Sequence, residues 1–288
     1  MKDQAESLRR KMLAAQDQLA RSLAIVSGKG GVGKSNFSTN FSYALVQQEK
    51  KVIIVDMDLG MGNVHILLGH TPKFSLMDYL VGTEDIESII NKMPEGLHFI
   101  SGGSGLSDVV EWTDEMFERL TEAFHYLQTA YDFVIFDMGA GANQTTIELI
   151  LAIDEVIVIT TGEPTSITDA YSMMKYIALR DSDTSFYLVG NRIHKGLAKN
   201  ESVSRLQFAM KKFLQVDAKV LGELPEDPVV QKSVIQQKPY LLAYPNAPIS
   251  KKIKMMTEVF TQYKLVEEPI KENRFMQKLR SIFVKGRE

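Results

Sequence analysis

The chain has 288 residues, with 33 Lys and Arg against 36 Asp and Glu and a formal charge of −3. Its 44% hydrophobic and 24% charged residues make a globular composition with ample core, not a disordered one. The absence of cysteine excludes disulfides, thiolate zinc sites, cysteine nucleophiles and cysteine-held iron–sulfur clusters, and it suits a reducing compartment.

Residues 1–22 carry Leu8, Met12, Ala15 and Leu19 at spacings of four, three and four, the period of a helix with a narrow apolar face. Taken alone, this is a polar surface helix that precedes the first strand and is expected to be dispensable for folding. Residues 23–27 then form an apolar run too brief for a helix. Comparable runs follow at 51–56, 97–101, 133–137, 155–161, 186–190 and 219–221. Most are continuous in Val and Ile, as strands covered on both faces require. Helical periods fall between them, at 35–48, 114–130, 143–152, 166–179, 202–213 and 250–263. This alternation predicts one α/β domain over 23–264, a mainly parallel twisted sheet with right-handed crossovers and helices on both sides. The most hydrophobic stretch, 147–161, is interrupted by Glu148, Asp154 and Glu155, so no run reaches the roughly 18 apolar residues that span a bilayer.

Within that framework, residues 28–35 read Gly-Lys-Gly-Gly-Val-Gly-Lys-Ser and match the P-loop pattern G-x-x-x-x-G-K-[ST] between a strand and a helix. Gly28, Gly30, Gly31 and Gly33, with Val32 among them, let backbone N–H groups turn inward around phosphate oxygens, and the helix N-terminus adds partial positive charge. Lys34 is placed to bridge the β- and γ-phosphates, the Ser35 hydroxyl to ligate Mg²⁺, and Asn36 completes the first turn of this nucleotide site. Two strands end in acid, one at Asp56 and Asp58 and one at Asp137. Carboxylates at the C-terminal edge of parallel strands lie beside the ligand crevice. Gly60 and Gly62 would let the loop after Asp58 rearrange.

Lys29 directly follows the first glycine, and K-G-G-x-G-K-[ST] resembles the deviant Walker A motif of the MinD and ParA class of ATPases. That resemblance implies ATP or ADP with Mg²⁺ as ligands. It implies that Lys29 reaches across a nucleotide-sandwich homodimer to the partner's phosphates, a trans-acting charge comparable to an arginine finger. Segment 56–63 is then similar to switch I, with Asp58 positioning the attacking water and Asp56 supporting the metal shell. Segment 131–141 is similar to Walker B plus switch II, with Asp137 holding Mg²⁺ through water and the Gly139 amide near the γ-phosphate. Asn191, followed by Arg192, stands where the class carries an adenine-reading asparagine, with donor and acceptor both available. Pro225, Glu226 and Asp227 match the segment P-E-D-x-x-V that walls in the base, and a simple turn is the alternative there.

At the N-terminus, Asp3, Gln4, Ala5, Leu8 and Arg9 fit the D-Q-A-x-x-L-R motif of the FlhG family, MinD-like regulators of flagellar number and position. The resemblance implies a segment that stimulates the GTPase FlhF, with Gln4 reaching its composite active site, and further partners in the flagellar C-ring. At the other end, a polar hinge at 266–273 precedes a basic tail. Residues 271–288 hold six basic and two acidic side chains, which sets the tail at +4 and the rest of the chain at −7. Phe275, Met276, Leu279, Ile282 and Phe283 fall within roughly a 120° arc at helical spacing. Lys278, Arg280, Lys285 and Arg287 border the arc, the pattern of an interfacial helix on anionic lipid. The same five side chains could instead cover a groove of the body, and Val284 lies off the arc.

The sequence therefore predicts an ATP-dependent dimerising switch, cytoplasmic and peripheral on the inner face of the membrane, with appended helices at 1–22 and 265–288. A ParA-like or MinD-like partitioning ATPase, acting in DNA segregation or division-site selection, is the alternative. A body at −7 argues against non-specific DNA binding, and no sequence-specific nucleic acid is expected. The histidines (His65, His70, His98, His125, His194) are scattered and suggest no separate catalytic constellation.

Overall fold

The computed structural model describes residues 19–58, 62–103, 113–139, 144–153, 155–193 and 201–263. The sequence features at 1–18, at Gly60 and at 264–288 lie outside the described residues.

Among the described residues, eight strands form one sheet. They are β1 (Arg21–Val26), β2 (Val52–Asp56), β3 (Asn91–Lys92), β4 (His98–Ile100), β5 (Phe133–Asp137), β6 (Glu155–Thr160), β7 (Ser185–Ile193) and β8 (Lys219–Pro225). Their order is β3-β4-β2-β5-β1-β6-β7-β8, parallel throughout except where β3 pairs antiparallel with β4. Because side chains alternate across a strand, each continuous apolar run feeds two cores. Leu23, Ile25, Ile54 and Ile157 point to one face, and Ala24, Val26, Ile53 and Val158 to the other.

The first of those faces is covered by α1 (Lys34–Val46), α9 (Tyr240–Ala243) and α10 (Pro248–Gln262). Helix α1 is buried without a break from Phe37 to Leu45, so it shows little amphipathic pattern. The opposite face is covered by α3 (Leu76–Leu80), α4 (Asp114–Ala130), α5 (Gln144–Ala152), α6 (Pro164–Arg180) and α7 (Glu201–Leu214). In α4 the buried stripe Met116, Leu120, Ala123, Phe124 and Leu127 has the spacing of a helix lying on a sheet. The N-cap Thr113 accepts from Met116 N–H and starts it. Two short helices, α2 (Val64–Leu67) and α8 (Pro228–Ile235), flank the C-terminal edge of the sheet.

The sheet differs from expectation at its ends. Strand β1 begins at Arg21, two residues before the apolar run, with Arg21 in register with Phe133. Arg21 forks onto Glu155 at 2.9 and 2.6 Å, and its guanidinium lies 4.2 Å from the Phe260 ring. Glu155 is only 2% exposed. A charged residue with a buried partner can belong to a central strand, which is why polarity misplaced this boundary. Ala20 N–H also bonds to the Gln128 carbonyl at 2.9 Å. Arg21 and Ser22 thus belong to the sheet, and Ala20 is tied to α4. Helices α2, α3 and α9, at four or five residues each, are too short to show a period. Among the described residues, no helix is long and apolar enough to cross a membrane.

Candidate nucleotide site

The turn from β1 to α1 carries the Gly-rich octamer to the C-terminal edge of the sheet. Gly31 and Gly33 have φ of +75° and +96°, a region that L side chains rarely adopt. Gly33 is also the N-cap of α1 and supplies no side chain, so no side-chain cap covers the first-turn N–H groups. Gly28 is glycine for a different reason: a Cβ there would stand 2.2 Å from the Asp169 carbonyl carbon and 2.5 Å from Ala170 N of α6. The loop is therefore seated directly on the α6 backbone. Val32 is buried, and Lys34, Ser35 and Asn36 are half-buried.

Parallel register places the acids. Asp56 and Asp137 are Cα partners across β2 and β5, and Ile25 of β1 is in register with Asp137. Both carboxyls are buried. Burial pushes the Asp137 carboxyl above the ordinary range, opposed by Lys34 and by hydrogen bonds from Ser35 and Ser38. The Ser38 Oγ donates to Asp137 Oδ1 at 2.7 Å. Burial also raises Asp56, with the neighbouring Asp137 charge as the next cause. Asp56 Oδ1 accepts from Asp58 N–H at 3.1 Å and Oδ2 from Val64 N–H at 3.2 Å. Both of its oxygens thus hold the turn into α2, a loop-holding role that the metal-shell reading did not contain.

Gly62 serves that same turn, since a Cβ there would come within 2.6 Å of Asp56 Oδ2. Close approach is thus one reason for a glycine at this position. Asp58 lies against Gly139: a Cβ on that glycine would be 3.7 Å from Asp58 Cγ. The loops after β2 and β5 therefore meet beside the P-loop.

Among the described residues, no three His, Cys, Asp or Glu side chains converge as a metal cage. A Mg²⁺ site does not need one. Magnesium is held through one or two carboxylates, with waters and substrate phosphates completing the octahedron. Asp137 and the Ser35 hydroxyl, adjoining one another at the strand edge, fit that donor set.

Asn191 ends up doing something the sequence did not announce. It is buried, and its Nδ2 donates to the Val32 carbonyl at 2.7 Å, across 159 positions of chain. It is a brace of the P-loop, whatever else its amide meets. Arg192 is exposed at φ +55°, beside an irregularity in the β7–β8 pairing. Pro225 pairs with Ile193, Glu226 N–H bonds to the Ile193 carbonyl, and Asp227 caps α8 through Val229 N–H at 3.1 Å. The segment is therefore a strand end and a helix cap at the same edge as Asn191. Asp227 followed by proline at N1 was a legible helix start.

Lys29 is exposed at the mouth of the loop, with Nζ 3.1 Å from Glu163 Oε2 of the same chain. No motif marks Glu163, Ser38 or the Asp169–Ala170 backbone, so sequence reasoning passed over all three.

Comparison with known proteins agrees with this geometry. A family model, ParA, described as NUBPL iron-transfer P-loop NTPase, matches residues 18–261. The antiactivator FleN of Pseudomonas aeruginosa is 30% identical over 86% of this chain and 88% of its own. The flagellum site-determining protein YlxH of Helicobacter pylori is also 30% identical, over 80% of this chain and 78% of its own. The septum site-determining protein MinD of Pyrococcus horikoshii, solved in complex with Mg-ADP, superposes with a TM-score of 0.69 at 26% identity. That match covers 84% of this chain and 96% of the other.

Proposed function

This chain belongs to the ParA family of P-loop ATPases, among its MinD-like members of the FlhG and FleN kind, and from that premise we propose that it is a magnesium-dependent dimerising switch for flagellar number and placement. The observation that carries the reading is the meeting of three strand ends. The loop after β1 supplies the phosphate cradle, β2 leads to Asp58, and β5 ends at Asp137.

In this reading Lys34 and the backbone N–H groups of 30–35 bind the phosphates, and Asn191 holds the loop in that shape. Asp58 orients the attacking water, with Gly139 beside it. Bound Mg²⁺ would neutralise charge on the phosphate oxygens, held by Ser35 and by Asp137. Lys29 of each copy serves the phosphates of the other, so hydrolysis requires the homodimer. The base lies at the β7 and β8 ends, by Asn191, Arg192 and 225–227.

The finer roles rest on segments outside the described residues. The tail, with Phe275, Met276, Leu279, Ile282 and Phe283, would place the protein on anionic lipid. Two tails on one dimer gain effective concentration over one, which makes membrane residence depend on ATP. The N-terminal segment with Asp3, Gln4, Ala5, Leu8 and Arg9 would stimulate FlhF, and C-ring proteins would be further partners. The names antiactivator and flagellum site-determining protein, carried by two relatives, support the flagellar assignment over others. Likeness to MinD favours a second reading, division-site positioning. A body at −7 weighs against DNA partition. The iron-transfer description of the family model finds no cysteine here to hold a cluster.

Sedimentation of wild type and Asp58→Ala with ATP or ADP tests the switch. ATP should give dimers and ADP monomers, with the Asp58→Ala dimer outlasting that of wild type. Monomers of both proteins in saturating ATP would remove the proposal. Two variants separate the appendages: Phe275 and Phe283 changed together to Glu should free the protein from anionic liposomes, and removal of 1–18 should spare ATP hydrolysis while ending FlhF stimulation.

A further inference from the structure

We propose that Glu163 is the resting partner of Lys29 and sets the concentration at which two copies of this chain join, an inference that rests on the dimerising-switch reading above. Lys29 Nζ and Glu163 Oε2 lie 3.1 Å apart within a single chain. Both ends of the pair stand on fixed backbone. On the loop side, Ser27 Oγ donates to the Lys29 carbonyl at 2.8 Å, and Gly28 is seated on Asp169 and Ala170. On the helix side, Ser166 Oγ accepts from Thr161 N–H at 3.1 Å, which fixes the turn that carries Glu163 into α6.

Glu163 is the N-cap residue of α6. At that position a side chain ordinarily accepts from the first-turn N–H groups. Glu163 makes no such bond, and its carboxylate reaches Lys29 instead. A lysine that spans to the phosphates of a second copy cannot also sit on Glu163. Each protomer therefore gives up this pair on dimerising, and Glu163 acts as a positioning residue for Lys29.

The exposure of the pair suits such a restraint. Lys29 is 47% and Glu163 65% exposed, so water and salt screen the attraction. An exposed ion pair contributes a factor of about five at most, and two pairs per dimer about 25-fold. That is enough to shift a threshold and too little to block assembly.

The test is the dimer dissociation constant of the full chain in saturating ATP, by sedimentation, for wild type, Glu163→Gln and Glu163→Asp. Glu163→Gln should dimerise at concentrations lower by up to about 25-fold, and Glu163→Asp, which keeps the charge, should return toward wild type. At about 0.5 M salt, where the screening length is about 4 Å, the gap between wild type and Glu163→Gln should narrow. ATP affinity of the monomer should be the same in all three. A Glu163→Gln dimer as weak as wild type, or weaker, overturns the assignment while leaving the switch intact. A wild type that stays monomeric in ATP removes the switch itself, and this inference with it.

Discussion

Changing Asp56 to Asn isolates the electrostatics of the two carboxyls that sit side by side on β2 and β5. Asp56 is pushed from 3.8 up to about 7, first by burial and then by the charge of Asp137. A carboxyl raised on folding contributes stability that is fully present below its unfolded value and is lost as pH climbs through the folded one. The window is therefore pH 4 to 7, the reverse of a salt-bridged aspartate. One proton bound on folding is worth about 1.4 kcal/mol per pH unit, so metal-free and nucleotide-free protein should lose about 2–3 kcal/mol between pH 5 and 7. For a domain of this size, each kcal/mol moves the melting point by about 2–4 °C. The expected fall is about 5–10 °C.

Asn keeps one acceptor oxygen for the N–H of Asp58 or of Val64 and turns its amide NH2 toward the other, which subtracts a pH-independent amount of stability. The stability difference between the two proteins should therefore move in favour of Asp56→Asn by about 2–3 kcal/mol between pH 5 and 7, on top of that constant offset. Calorimetric scans at closely spaced pH values measure the difference directly and cancel the titrating groups that do not interact with Asp56. Parallel curves for wild type and variant across the whole range would refute the claim that burial raises the Asp56 carboxyl.

Two further substitutions probe the loop. Asn191→Ala leaves the Val32 carbonyl without its 2.7 Å donor and should cost about 1–3 kcal/mol of stability, read in the denaturant midpoint. ATP affinity should fall with it, and an unchanged midpoint would show that the brace contributes nothing. Gly28→Ala forces a Cβ to within 2.2 Å of the Asp169 carbonyl carbon and should cost about 1–3 kcal/mol through overpacking. Calorimetric nucleotide titration should show weakened binding as the loop lifts off α6, and wild-type affinity would contradict that seating.

The parts of the site that sequence exposes are those whose chemistry is contiguous. Residues 28–35 need each other as neighbours, because one turn of backbone must wrap one group of phosphate oxygens. The acids at 56 and 137 are visible because each ends an apolar run, with Asp58 two residues beyond the first, and parallel strands bring such ends to one edge. Asn191 was identified by its motif, yet its bond to Val32 joins positions far apart in the chain, and no local signal encodes that distance. Glu163 belongs to no motif and lies 134 positions from Lys29. Arg21 was placed in the helix because the apolar run begins only at Leu23, and its strand position shows only through Glu155 and Phe260.

The amino-acid order by itself determined the alternation of strands and helices, the phosphate loop, and the family resemblance. These depend on period, on apolar run length and on a few adjacent residues, all of which are local quantities. Tertiary structure alone decided which groups meet: Lys29 with Glu163, Asp56 with the turn into α2, and Asn191 with the loop it braces. Those assignments follow from which strand ends and helix starts become neighbours. That is set by burying both faces of the sheet at once, a condition no single segment of the chain can express.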